Sequence, residues 1–209
     1  MKRKDFSKLK VEVQKEKKFY FEHEDYIAGA PPYLRGIYAT MYLQEPLKKA
    51  TAQDIPSQEN TTPEIEISNF LSKSYHLIQN NLQENTPIDT IISKLSFHTT
   101  INKNHFDEIA KMRAARILWA SMIKLFNPKK QESFALNIHA SIHNSTETLT
   151  AIMGGCQSIT SKDMSHLFFE EETNILKTVD PWAGSYYIEK RTEDIANTAW
   201  QLFKKETNL

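Results

Sequence analysis

Apolar side chains recur at three- and four-residue steps along residues 104–126, the longest stretch of one unbroken pattern in the chain. This spacing places them on one stripe of a 3.6-residue helix. Asn104 is a typical capping residue, Asp107 reaches back toward that cap, and Asn127-Pro128 ends the pattern. The pattern therefore predicts one long helix, whose apolar stripe contains Ile109, Met112, Trp119, Ile123 and Phe126.

Two short apolar segments flank this predicted helix. Residues 91–97 precede it, and residues 133–139 follow it, with Phe134, Leu136 and Ile138 at every second position. A period of two is typical of a β-strand. Because a strand, a helix and a strand in succession form a right-handed crossover, we expect two adjacent parallel strands.

Weaker patterns predict the other elements. Helical spacing over residues 64–85 indicates a second long helix, and residues 145–153 form a short helix that Gly154-Gly155 ends. The remaining expectations are a strand at 157–160, a helix at 164–177 and an amphipathic helix that begins at Thr192.

The chain before residue 64 has a different composition. Prolines, glycines and tyrosines between residues 27 and 46 exclude a regular helix there and indicate an ordered loop or extended arm. The polar composition of residues 48–63 predicts a linker. We therefore predict an N-terminal arm at 1–47, a polar linker at 48–63 and a partial βα domain at 64–209.

Composition and charge are those of a globular protein, with 40% hydrophobic residues and 26 basic against 26 acidic side chains. No net positive field favours nucleic acid, and no apolar run is long enough to span a bilayer. The single cysteine, Cys156, excludes an internal disulfide framework and indicates a reducing compartment. We expect a cytoplasmic protein with no nucleic-acid and no membrane partner.

Local motifs for metal binding or catalysis are weak. His139 and His143 are four residues apart, but His139 ends a predicted strand and no HExxH glutamate accompanies the pair. Cys156 has no histidine placed by the sequence to activate it, so a small buried residue is the preferred interpretation. These patterns predict no metal site, and they leave the catalytic residues unknown.

Five blocks occur in a specific order: APPYLRGIYATMY, KLSF, HFDEIAKMRAARILWA, GGCQS and VDPWAGSYYIE. In order and content they are similar to the catalytic-chain barrel domain of the methylmalonyl-CoA mutase family. The resemblance implies a (β/α)8 barrel that holds an acyl-CoA of the methylmalonyl or succinyl type along its axis. It also implies adenosylcobalamin, whose radical chemistry rearranges the carbon skeleton of the acyl group.

This chain is strongly shortened relative to that barrel, for which about 250 residues are usual. The sequence between the TMY and KLSF blocks is compressed, so the resemblance implies loss of the middle strands. Where the family has RPWTIRQY, this chain has alanines, Ala50 and Ala52, in place of the second arginine and the tyrosine. No DxHxxG cobalamin-binding motif occurs. The expected fold class is α/β, a truncated or incomplete TIM-type (β/α) barrel with an extended N-terminal arm.

The resemblance also indicates substrate-binding positions. Four residues correspond to the part of the family's arm that lines the acyl-CoA channel: Tyr38, Ala39, Thr40 and Met41. Three correspond to an Arg-Leu-Ser sequence that contacts the CoA portion: Lys94, Leu95 and Ser96. Plain packing of the arm and of the strand is the alternative explanation for both groups. Arg113 and Arg116 are interpreted as structural ion-pair partners.

Three functions remain open at this point. The chain is a cobalamin-dependent acyl-CoA isomerase of the mutase family, working with a partner chain that carries the cobalamin domain. Alternatively, it is a non-catalytic, small-subunit-like assembly partner of a mutase. The third possibility is a folded, shortened remnant without activity. The missing arginine and tyrosine lead us to expect impaired or absent activity of the chain alone.

Overall fold

The computed structural model describes residues 21–49, 61–161, 169 and 172–209. The helices are α1 (Pro63–Gln83), α2 (Ile88–Ile92), α3 (His105–Lys124), α4 (Ser145–Met153) and α5 (Tyr186–Thr207). The strands are β1 (Lys48–Lys49), β2 (Phe97–Thr100), β3 (Ile138–Ile142) and β4 (Ser158–Ser161). Short 3-10 turns lie at Glu22–Asp25, Met41–Leu43, Gln131–Phe134 and Ile175–Lys177.

All pairings in the sheet are parallel, and the strand order is β1-β4-β3-β2. Strands β2, β3 and β4 are neighbours in chain order, with α3 and α4 as the crossovers between them. The first strand lies beside the last, since Lys48 is in register with Ser158. The parallel pairing of two strands across α3 agrees with the prediction, although Ile91 and Ile92 of the first predicted strand lie in α2. The described residues form an open α/β sheet.

The two faces of the sheet differ in chemistry. Ile138, Ala140 and Ile159 point into the main hydrophobic core, together with Phe97 on β2. The intervening positions carry His98, His139, Ser158 and Thr160 on the opposite face. Alternation along each strand thus separates an apolar, helix-covered face from a polar one.

Helix α3 is central to the core. Met112, Trp119 and Ile123 are each 0% exposed, because α1, α4 and α5 all pack against this helix. Its bounds agree with the predicted helix to within two residues at each end. Asn104 is the N-cap residue and Asp107 reaches back to it, as predicted, with the Asn104 amide donating to Asp107 Oδ2 at 2.7 Å. The Asn104 side chain makes no capping hydrogen bond to a backbone N–H of the first turn.

Both predicted flanking strands are displaced toward the C-terminus. Residues 91–97 begin in α2, where Ile91 and Ile92 face the core, and only Phe97 belongs to β2. Residues 133–139 begin in a 3-10 turn and an extended connection before β3. A short apolar run does not distinguish a strand from a buried turn or helix end, so these boundaries were wrong while the order of elements was right.

Three other predicted helices have different outcomes. Helix α5 begins at Tyr186, six residues before Thr192, and so includes the aromatic segment that precedes the predicted start. The predicted helix at 164–177 lies largely outside the described residues, and its last part, Ile175–Lys177, is a 3-10 turn. The helix Ser145–Met153 has the predicted bounds, with the Asn144 side chain accepting a hydrogen bond from the Glu147 backbone N–H.

The predicted arm has no long regular element between residues 21 and 47 of the described chain. It is nevertheless ordered against the domain, because Phe21, Leu34 and Met41 are buried. No helix in the described ranges combines the length and apolar character needed to cross a membrane.

Candidate functional site

An open cavity of about 410 Å³ lies at the N-terminal ends of the strands, between the arm and the sheet. The structure brings five of the predicted substrate-binding residues to its wall: Tyr38, Met41, Lys94, Leu95 and Ser96. The other two predicted residues, Ala39 and Thr40, are exposed and are not part of the lining. Two segments that are far apart in the sequence thus meet at one site, as the resemblance implies.

The arm wall of the cavity is held by close packing and by one buried hydroxyl. Met41 adopts a positive φ of 43°, an unusual conformation for a residue with a side chain. Its sulfur lies so close to Gly36 that a Cβ there would come within 2.6 Å. The Tyr42 hydroxyl lies 2.8 Å from the carbonyl oxygen of Cys156 and 3.1 Å from that of Ile152. By donating its proton to these oxygens, it connects the arm to the end of α4 and the segment that follows it.

Two lysines give the cavity rim a positive charge. Lys94 is exposed and forms no ion pair with any described residue, which leaves its ammonium group available. Lys48 lies 3.5 Å from the carboxylate of Glu45, and both side chains are largely exposed. An exposed pair of this kind contributes little to stability, so Lys48 is also able to exchange its partner for a ligand.

The polar face of the sheet forms the floor of the cavity. Ser96 Oγ lies 2.7 Å from His98 Nε2. His139 uses both ring nitrogens, with Nδ1 2.7 Å from Ser158 Oγ and Nε2 2.9 Å from Thr160 Oγ1. Sequence analysis missed this floor, although the polar residues at every second position of three consecutive strands were a usable signal.

Electrostatics make this floor a neutral binding surface at pH 7. Burial lowers the pKa of His139 from the usual 6.5, and the neighbouring charge of His98 lowers it further. Burial also lowers the pKa of His98. Ser96 and His98 resemble a nucleophile and base, but no carboxylate among the described residues orients the imidazole. The geometry therefore favours hydrogen bonding to a polar ligand over nucleophilic catalysis.

We expect the fold to lose stability on acidification through His139. Its pKa is lower in the folded protein than in the unfolded chain, so the unfolded chain binds more protons and is favoured as the pH falls. The stability that depends on neutral His139 is fully present above about pH 6.5. It is lost as the pH falls through the pKa of His139 in the folded protein. Urea unfolding between about pH 7.5 and about pH 5 measures it.

His139→Gln keeps a hydrogen-bonding side chain without a titrating group, so this variant is expected to show a shallower pH dependence. His76 is exposed on α1, away from the cavity, so His76→Gln is the matched control for removal of one histidine. Equal slopes for wild type and His139→Gln would contradict the assignment.

A buried ion network fastens the arm to the domain behind the cavity. Glu189 at the start of α5 is 0% exposed and accepts hydrogen bonds from Arg35 at 2.8 Å and from Arg113 at 2.7 Å. His23 Nε2 lies 2.8 Å from the other carboxylate oxygen. Burial opposes ionisation of Glu189, but the hydrogen bond to His23 and the charge of Arg113 outweigh it and lower its pKa.

The two arginines of α3 have different partners. Arg113 pairs with Glu189 and Asp180, which confirms its predicted role as an ion-pair partner. Arg116 instead donates to carbonyl oxygens of Met112, Gly154 and Gly155. The prediction of an ion pair for Arg116 is wrong, because the residues beside its guanidinium present backbone oxygens.

Cys156 is buried as predicted. Burial raises the pKa of its thiol to about 12, so the reactive thiolate is not populated at neutral pH. The next residue, Gln157, connects two segments of the backbone. Its side chain accepts a hydrogen bond from the backbone N–H of Ile138 and donates one to the carbonyl of Gly155.

Comparison with known proteins assigns the chain to a family. The family described as methylmalonyl-CoA mutase matches residues 57–166 and 163–208. The methylmalonyl-CoA mutase large subunit of Porphyromonas gingivalis is 29% identical over 180 residues, covering 71% of this chain and 25% of that protein. The methylmalonyl-CoA mutase of Rhizobium meliloti is 28% identical over 172 residues, covering 67% of this chain and 24% of that protein.

The mitochondrial methylmalonyl-CoA mutase of Homo sapiens is 29% identical over 174 residues, covering 68% of this chain and 23% of that enzyme. The chain therefore spans about a quarter of the length of the curated relatives that it matches. The family match includes the KLSF, HFDEIAKMRAARILWA, GGCQS and VDPWAGSYYIE blocks and covers more than half of the chain. On this basis the chain belongs to the methylmalonyl-CoA mutase family.

Proposed function

We propose that this chain is a methylmalonyl-CoA mutase-like protein that retains a weak acyl-CoA site but is impaired or inactive alone as an isomerase. The observation that carries the proposal is the meeting of Tyr38 and Met41 with Lys94 and Ser96 around one cavity. These residues come from two sequence blocks that resemble substrate-binding parts of the family. Five of the proposed substrate-binding residues, Tyr38, Met41, Lys94, Leu95 and Ser96, line this cavity. Ala39 and Thr40 are proposed on the resemblance alone, since neither belongs to the lining.

The sheet topology supports descent from a (β/α)8 barrel. In a closed parallel barrel the first strand pairs with the last, and β1 and β4 of this chain form such a pair. β4, β3 and β2 then follow in barrel order. Loss of middle strands between β1 and β2 accounts for this order. We therefore propose a truncated TIM-type barrel whose first strand is β1, with the arm at 1–47. The linker predicted at 48–63 begins with the two residues of β1, so only its remainder is proposed as a linker.

The chemistry of the cavity suits part of a CoA thioester. Phosphate groups are recognised by cations, and Lys94 and Lys48 lie at the rim. The amide-containing arm of CoA needs hydrogen-bonding groups beside an apolar wall, which Ser96, His98 and Met41 provide. A lysine in place of a forked guanidinium makes the phosphate contact weaker and less directional.

The described residues do not fit adenosylcobalamin. Both ring nitrogens of His139 are engaged within the sheet face, and Ser96 engages one nitrogen of His98. The sequence contains no DxHxxG motif. When bound, adenosylcobalamin supplies the radical that starts the rearrangement. We propose that a partner mutase chain brings this cofactor, and that the complex acts in the cytoplasm without nucleic acid.

Calorimetric titration with CoA tests the proposed site. We expect a dissociation constant between micromolar and millimolar, because the cavity is open to water. This range corresponds to a binding free energy of about −8 to −4 kcal/mol. Lys94→Ala is expected to weaken binding by up to about fivefold, the worth of one exposed charge pair. Lys73→Ala, which removes an exposed lysine on α1 away from the cavity, is the matched control.

The outcomes separate the three possible functions. Heat from the wild type that decreases in Lys94→Ala supports an acyl-CoA site. No heat from either protein favours a small-subunit-like assembly partner or a folded remnant, and pull-down with a full-length mutase chain distinguishes these two. Turnover of methylmalonyl-CoA by the purified chain with adenosylcobalamin would contradict the proposed impairment.

A further inference from the structure

A second, much smaller cavity of about 20 Å³ lies beneath the arm, on the other side of Met41 and Tyr42 from the large one. Three arginines line it: Arg35 from the arm, and Arg113 and Arg116 from α3. All three are buried, at 8%, 5% and 2% exposure. So many guanidinium groups away from water require compensation, because an unpaired buried charge is costly.

The carboxylates of this cluster do not balance its positive charge. Asp180 and Glu189 are the acidic groups paired with these arginines, and both pair with Arg35 and Arg113. Every hydrogen bond from Arg116 to a described residue goes to a carbonyl oxygen. Three guanidinium groups therefore face two carboxylates, which leaves one positive charge in excess. Burial lowers the pKa of Arg116 to about 10, so it remains protonated at neutral pH.

Hydrogen-bond donors in the same cluster are also without acceptors. Arg35 Nε, Arg35 Nη2, Arg113 Nε and Arg116 Nε are buried and have no partner among the described residues. Buried N–H groups normally find an acceptor, and each one left without a partner costs free energy. Glu189 Oε2 is the buried acceptor of this cluster without a hydrogen bond from an arginine among the described residues, against four arginine donors that lack a partner. The cluster thus has an excess both of positive charge and of hydrogen-bond donors.

We propose that the small cavity binds a monovalent anion of about the size of chloride. Such an anion supplies the missing charge and accepts several N–H groups simultaneously. The volume of about 20 Å³ admits one particle of this size, since about 10–15 Å³ suffices for a water molecule. A water molecule would satisfy donors but leave the excess charge uncompensated.

The position of the site gives the anion a structural consequence. Arg35 belongs to the arm, whereas Arg113 and Arg116 belong to the domain, so a shared anion connects the two. Met41 and Tyr42 line both cavities. Anion binding therefore stabilises the folded chain and the arm wall of the larger cavity.

Thermal unfolding in sodium chloride and in sodium gluconate at equal ionic strength tests the site. Gluconate is too large for the small cavity, so chloride is expected to raise the melting temperature by about 2–4 °C. Arg116→Met removes the excess charge and is expected to abolish the difference between the salts. Arg191→Met, which removes a partly exposed arginine that pairs with Asp107 and Glu64, is expected to retain it.

Crystals of the wild type soaked in bromide provide a test that needs no variant. An anomalous peak within hydrogen-bond distance of the Arg35 and Arg116 guanidinium groups is expected. Equal melting temperatures in both salts together with no such peak would overturn the proposal. A peak without any difference in melting temperature would identify an adventitious ion only and would also overturn it.

Discussion

Replacing Glu189 by glutamine is expected to lower the free energy of unfolding by about 3–5 kcal/mol. The carboxylate is fully buried and accepts from Arg35, Arg113 and the backbone N–H of Gly184. Glutamine has nearly the same shape but no charge, and its amide NH2 group accepts no hydrogen bond. The variant leaves the arginines buried with half of their negative charge removed, which urea unfolding measures.

The control for this change lies on the same helix. Glu193 is partly exposed and pairs with Lys190, so Glu193→Gln is expected to cost less than about 1 kcal/mol. Limited proteolysis adds a local readout, because loss of the Arg35 contact releases the arm and exposes residues 21–47 to cleavage. If Glu189→Gln lowered the free energy of unfolding by less than Glu193→Gln does, the buried ion network would not hold the arm on the domain.

Replacing Gly29 by alanine is expected to destabilise the fold by about 2–5 kcal/mol, the sum of backbone strain and overpacking. Gly29 has a φ of +76°, and a Cβ there would lie 2.3 Å from the backbone nitrogen of Ala39. Backbone atoms cannot rotate away, so the arm must move. Because Tyr38 precedes Ala39, we also expect weaker CoA binding in the calorimetric titration.

Gly184→Ala separates the two contributions to this effect. Gly184 has a similar φ of +72°, but a Cβ there meets no atom within 4 Å. Its replacement therefore carries only the backbone strain, about 1–2 kcal/mol, and leaves CoA binding unchanged. Equal destabilisation by the two variants would mean that the close approach of Gly29 to Ala39 is unimportant.

Local patterns predicted elements that are long or have clear ends. Helix α3 is long, at 20 residues, and α4 is bounded by Asn144 and Gly154-Gly155. The strands were misplaced because they are short, at four or five residues for β2, β3 and β4. Ile91 and Ile92 are as apolar as strand residues but face the core from a helix.

The candidate site was predictable only where a resemblance linked distant segments. Lys94 and Tyr38 line one cavity, and nothing in either local sequence indicates the other. The partners of Glu189 were equally hidden, since the aromatic residues before it favour a strand. The buried carboxylate instead lies on a helix, where it faces Arg113 on the adjacent α3.

The sequence separation of the contact between Arg35 and Glu189 has a consequence for biosynthesis. The two residues are 154 positions apart in the chain, so Arg35 leaves the ribosome long before its partner exists. At translation rates of about 5–20 residues per second, this delay is about 8–30 s. During that time the arginine and the aromatic residues near it have no docking surface on α5. A newly made arm is therefore a target for chaperones until α5 is complete.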